Sequence, residues 1–79
     1  MILAKKKEWK KAEKYFRRVS HARPHDAEIF YNLGVALAEQ DKWQEASNQF
    51  RQALKIRPYF SQASKYLDRA KQNLKEEQK

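Results

Sequence analysis

The sequence predicts an all-α fold, built from antiparallel helix-turn-helix units stacked as a short solenoid. Three observations carry this prediction. First, a pattern recurs at a spacing of 34 residues: Trp9 returns as Trp43, Ala12 as Ala46, Phe16 as Phe50, Arg17 as Arg51, Arg23 as Arg57 and Pro24 as Pro58. Leu3 and Ala4 likewise return as Leu37 and Ala38, and Leu33 and Ala36 as Leu67 and Ala70. Second, the apolar residues inside each unit fall at helical spacing. Third, one glycine, two prolines and no cysteine in 79 residues leave little material for loops or disulfide staples. Self-similarity at a fixed period means that one supersecondary unit is stacked on copies of itself. Such a unit cannot bury its apolar face alone, so its neighbour supplies the other half of the core.

The elements follow in order. Residues 7–22 place Trp9, Ala12, Phe16 and Val19 on one stripe, and Pro24 ends this helix because the residue before a proline is pushed out of helical geometry. Asp26 is the expected N-cap of the next helix, with Glu28 in its first turn. That helix extends to about Gln40 and buries Phe30, Leu33, Gly34 and Leu37. Asp41 is the expected N-cap of the third helix, with Gln44 at capping-box spacing. Trp43, Ala46, Phe50, Ala53 and Leu54 form its stripe, and Pro58 closes it. The last helix is expected from about Phe60 to near Glu76, with Ala63, Tyr66, Leu67, Ala70 and Leu74 inward and a polar end that frays. Short connections make these helices antiparallel neighbours. Gly34 and Ala46 are expected to let two helix backbones approach closely.

Composition bounds the function. The net charge is +8, and residues 1–23 carry +7 of it; residues 24–60 carry −1 and residues 61–79 carry +2. The apolar stretches are far too short to span a bilayer. Met1 to Ala4 before a lysine run is not a secretory signal. Together with the absence of cysteine, this fits a cytoplasmic location.

Residues 27–60 resemble a tetratricopeptide repeat. Phe30, Leu33, Gly34, Leu37, Ala46, Phe50, Ala53 and Pro58 stand at the family's spacing, with Phe30 for the usual Trp and Leu37 for the usual Tyr. The resemblance implies a right-handed superhelical solenoid with this organisation: 1–24 a partial first repeat (a truncated first helix plus a second helix), 25–60 a complete repeat, and 61–79 a C-terminal capping helix. Ser64, Asp68 and Lys71 replace the aromatic, glycine and second aromatic of the pattern, and Asp68 blocks the close approach that Gly34 allows. A polar terminal helix of this kind keeps a solenoid soluble.

The resemblance further implies a non-enzymatic module that binds a peptide or protein segment in a concave, helix-lined groove, as part of a larger scaffold. The groove would be lined by Tyr31, Asn32, Val35, Ala38, Glu39, Lys65, Tyr66 and Arg69. Asn32 stands out because an amide offers both donors and an acceptor to a peptide backbone. A chaperone-tail carboxylate clamp is not expected, since Gln62 and Tyr66 stand where lysine and arginine are needed. A structural spacer without its own ligand is the plain alternative.

A different class of function is suggested by the first helix. Lys7, Lys10, Lys11, Lys14, Arg17 and Arg18 are expected on the face opposite Trp9, Ala12 and Phe16, where they could bind nucleic-acid phosphates or an anionic surface. No RNA- or DNA-reading motif accompanies them, and a solvated outer face is the alternative. His21 and His25 flank Pro24 without a cysteine or carboxylate cluster, so no metal site is expected. No catalytic triad or phosphate loop is present, and no cofactor is implied.

Arrays of this kind usually need about three repeats. The severed first repeat should leave Leu3, Trp9 and Ala12 open on their inner side, and exposed apolar ends tend to be covered by another chain. Self-association through the N-terminal end is the expected outcome. Sedimentation at high concentration checks it, and a well-folded monomer there contradicts it.

Overall fold

In a computed structural model the backbone is described for residues 2–77 and the side chains for residues 7–76. Four helices follow one another: α1 (Ile2–Ala22), α2 (Ala27–Ala38), α3 (Trp43–Ile56) and α4 (Ser61–Glu77). The described residues contain no strand. The two proline turns are built alike, one period apart. The Asp26 N–H donates to the Arg23 carbonyl at 3.2 Å, and the Phe60 N–H donates to the Arg57 carbonyl at 3.1 Å. The residue ending each turn differs in use. The Asp26 side chain accepts from the Glu28 N–H at 3.1 Å, capping α2 as its sequence position predicts. Phe60 cannot cap, and instead puts its ring into the core with the Arg57 guanidinium 4.7 Å above the ring centroid.

The turn between α2 and α3 departs from expectation. α2 stops at Ala38, and Asp41 has φ of 62°, in the left-handed region. It is therefore the residue that reverses the chain, a conformation that Asp tolerates better than most residues. Lys42 becomes the N-cap of α3 without a side-chain bond, so the Asp41–Gln44 capping box does not form. The first helix differs too. The remnant of a severed helix over residues 1–6 is not a separate element, because α1 runs unbroken from Ile2. One period before the α2–α3 turn the sequence reads Lys5, Lys6, Lys7 and Glu8. These are good helix formers, and Lys7 takes the place of the left-handed Asp41, so nothing breaks the helix there.

The core is made by Leu33, Ala36, Leu37, Ala46, Phe50, Ala53, Ala63, Leu67 and Ala70. Phe50 is 0 % exposed, and full burial of such a side chain stabilises by about 1.5–3 kcal/mol. The space left by Gly34 is filled by this ring. A Cβ on Gly34 would lie 2.5 Å from one Phe50 ring carbon and 2.8 Å from the next. α2 packs against α1, α3 and, lightly, α4, whereas the α1 backbone neighbours α2 alone.

Gly34→Ala is expected to destabilise the protein. Alanine gains about 1 kcal/mol of helix propensity. Overpacking against an immobile ring costs about 1–3 kcal/mol, and the 2.5 Å contact places this site at the upper end. Thermal denaturation should show a net loss of about 1–2 kcal/mol, smaller in a Phe50→Leu background than in the wild type.

Candidate functional site

Helical spacing puts Glu28, Asn32, Val35 and Glu39 on one strip of α2. Glu28 and Glu39 are exposed, while Asn32 and Val35 are half-buried. Val35 rests on the core. The Asn32 amide has no hydrogen-bond partner among the described residues, and no buried side-chain polar atom is left unsatisfied there, so the amide reaches solvent. Glu28 was missed by the sequence reading, although the i, i+4, i+7, i+11 spacing through Asn32, Val35 and Glu39 points to it. Ala38, expected to line the groove, is 2 % exposed and belongs to the core. It lies on the side of α2 that turns inward, a little beyond the edge of the open strip.

Tyr31 and Tyr66 join the core more than a groove wall. Tyr31 lies 5.0 Å from Phe60, 5.8 Å from Tyr66 and 6.0 Å from Phe50, centroid to centroid. Tyr66 stacks on Phe50 at 5.2 Å. Aromatic rings at these separations attract beyond simple area burial. The four rings therefore tie α2, α3 and the start of α4 together. Burial, and then the neighbouring Tyr66, raise the Tyr31 pKa, so its phenol stays protonated. Neither phenol has a hydrogen-bond partner among the described residues, and both reach solvent. On α4, Lys65 and Arg69 are exposed. The Arg69 guanidinium lies 5.8 Å from both the Trp43 and Tyr66 ring centroids, which restrains it over their faces. Beside Lys65 a concavity of about 360 Å³ is lined by Pro58, Tyr59, Phe60, Ser61 and Ser64, and Tyr59 is 96 % exposed.

The basic face of α1 is smaller than expected. Lys7, Lys10, Lys11, Lys14 and Arg18 are exposed and carry no ion pair among the described residues. Arg17 does not join them: it pairs with Glu13 at 3.0 Å and lies 4.0 Å from Glu45. It stands at the edge of the lysine stripe, about 20° of rotation beyond Lys10, and its pairing with Glu13 and its approach to Glu45 of α3 set it apart. Trp9 and Ala12 are half-buried, and Leu3 lies outside the residues whose side chains are described. His21 and His25 are exposed, and no group of three metal-binding side chains forms among the described residues.

Glu13 is the centre of a polar link between α1 and the α2–α3 turn. Its side chain is 14 % exposed. It accepts hydrogen bonds from Gln40 Nε2 at 3.0 Å, Arg17 Nη2 at 3.0 Å and Lys42 Nζ at 3.4 Å. Gln40 also donates to the Ala36 carbonyl at 2.9 Å, which fixes its amide.

Residues 27–60, which span the capped helix α2, the left-handed turn and α3 up to its proline turn, match the family model for the tetratricopeptide repeat. The chain carries a tetratricopeptide repeat. A comparison with curated proteins finds no match. Tetratricopeptide repeats generally mediate protein–protein interaction and are typically non-enzymatic. Among the described residues no helix is long and apolar enough to cross a membrane. Within the repeat, Gly34 and Phe50 form the helix crossing, and the strip through Asn32 is what α2 leaves open.

The Glu13 carboxylate sets a pH dependence. Burial alone would raise its pKa, but the hydrogen bonds from Gln40 and Arg17 and the charge of Lys42 outweigh burial and hold it below the ordinary value of 4.5. A lowered folded-state pKa contributes stability that is fully present above the unfolded value and is lost as pH falls through the folded one. Glu13→Ala should therefore cost about 1.5–3 kcal/mol at neutral pH. Thermal melts of the two proteins should converge as pH drops below 4.5. Hydrogen exchange should show α1 as the helix released.

Proposed function

We propose that the chain binds a protein or peptide segment, without catalysis, across the open strip of α2 and the adjoining face of α4, as one part of a larger scaffold. The observation that carries this reading is the Asn32 amide. It is held on a rigid helix, reaches solvent and has no hydrogen-bond partner among the described residues, so its donors and acceptor are available to a peptide backbone. Charge adds to this. Glu28 sits on α2 and Glu39 at its C-cap, while Lys65 and Arg69 sit on α4. A segment carrying both signs of charge would be oriented between the two helices, because complementary charge fixes register and excludes wrong partners. The two phenols contribute polar tips at the base of this face, over rings fixed in the core.

The test is a selection of displayed peptides on the full chain, followed by measured affinities for the winners. Asn32→Ala should weaken them about tenfold, the effect of losing two peptide hydrogen bonds. Lys65→Glu should weaken acidic winners further. Circular dichroism should show unchanged helicity for both variants. Winners that bind both variants as tightly as the wild type would remove the proposal.

A further inference from the structure

We infer that the lysine face of α1 docks the phosphodiester backbone of a single-stranded nucleic acid. This goes beyond the peptide reading and rests on a different surface. Lys7, Lys10, Lys11, Lys14 and Arg18 are all exposed and lack ion pairs among the described residues. Of the carboxylates of α1, Glu8 is exposed and makes no ion pair among the described residues, and Glu13 is held by Gln40, Arg17 and Lys42. The four lysines stand on adjacent turns, and their stems line one open concavity of about 210 Å³. At 1.5 Å per residue the stripe is about 16 Å long, with a positive charge at each turn. A surface that keeps five like charges together without compensation is matched by a ligand with a regular run of negative charge.

The chemistry separates the polyanions. A lysine ammonium binds phosphate as a point charge, so a row of lysines can follow a run of phosphates without the planar geometry that an arginine fork requires, and Arg18 is the lone arginine of the stripe. Insertion into a membrane surface needs an apolar face laid against the lipid. In α1 that face is already engaged: Phe16 packs against the core, and Trp9 and Val19 are half-buried. Tyr15, one turn beyond Lys11, is 63 % exposed. It gives an unpaired base a ring to stack on beside the phosphate track, and this favours a single strand over a duplex.

The test is fluorescence anisotropy of a labelled twelve-nucleotide polyuridine RNA with the full chain, from 50 to 200 mM salt. Five neutralised phosphates give a log–log slope of about −3.5, close to a hundredfold loss of affinity over that range. Lys7→Gln with Lys11→Gln should reduce the slope by about 1.4. Lys10→Glu, Lys14→Glu and Arg18→Glu together should abolish binding with helicity retained. Tyr15→Ala should weaken binding several-fold at an unchanged slope. Asn32→Ala should leave it intact, which separates this surface from the peptide face. The inference is overturned by no binding at 50 mM salt, by a slope near zero, or by charge reversal without effect. Equal or tighter binding to poly-glutamate, or to vesicles of phosphatidylcholine and phosphatidylserine at three to one, would overturn it as well.

Discussion

The contact between the Phe50 ring and the bare Cα of Gly34 sets the geometry of this molecule. A ring carbon lies 2.5 Å from where a methyl would be, too close for one, so α2 and α3 cross at a distance that glycine permits. Phe50 then presents its other side to Tyr66, and Tyr31 closes over both rings. The placement of α4 follows from that stack. Close packing makes such an arrangement discrete, because a well-filled core cannot be slid by fractions of a side chain.

This packing also decides what remains for binding. α2 is flanked by α1, α3 and α4, and among the described residues it leaves a strip bearing Glu28, Asn32, Val35 and Glu39 open. Among the described residues the α1 backbone neighbours α2, and its lysine side faces outward. The two surfaces belong to different helices and differ in kind. One combines an amide with charges of both signs above a rigid aromatic floor, and the other is a row of like charges on flexible stems.

Much of the fold was legible in the sequence, because the repeat period located equivalent residues before any coordinates. Both proline turns, the Asp26 cap and the inward stripes through Leu33, Phe50 and Leu67 follow from periodicity and local chemistry. The misses have physical causes. Asp is a good N-cap and also tolerates a left-handed backbone, and at Asp41 the need to reverse the chain won. A tyrosine on an amphipathic helix reads equally as lining or core, and the choice at Tyr31 and Tyr66 depends on rings from other helices. Ala38 and Arg17 lie at the margins of their stripes, where a few tens of degrees move a side chain from solvent to contact. The Glu13–Gln40–Lys42 link joins residues far apart in sequence, with no period to announce it. Asn32 could be named in advance, but its lack of an internal partner could not.

The order in which the helices touch has a consequence for how the chain acquires its shape. Apart from the light contact between α2 and α4, each packed pair is consecutive in sequence. Few long loops must close before contacts form, which places the chain among proteins of low contact order that fold in microseconds to milliseconds. The Gly34–Phe50 crossing lies within a single hairpin of helices, so the tightest contact is also among the most local. α1 meets the core through Phe16 and the α2–α3 turn through the polar bonds of Glu13.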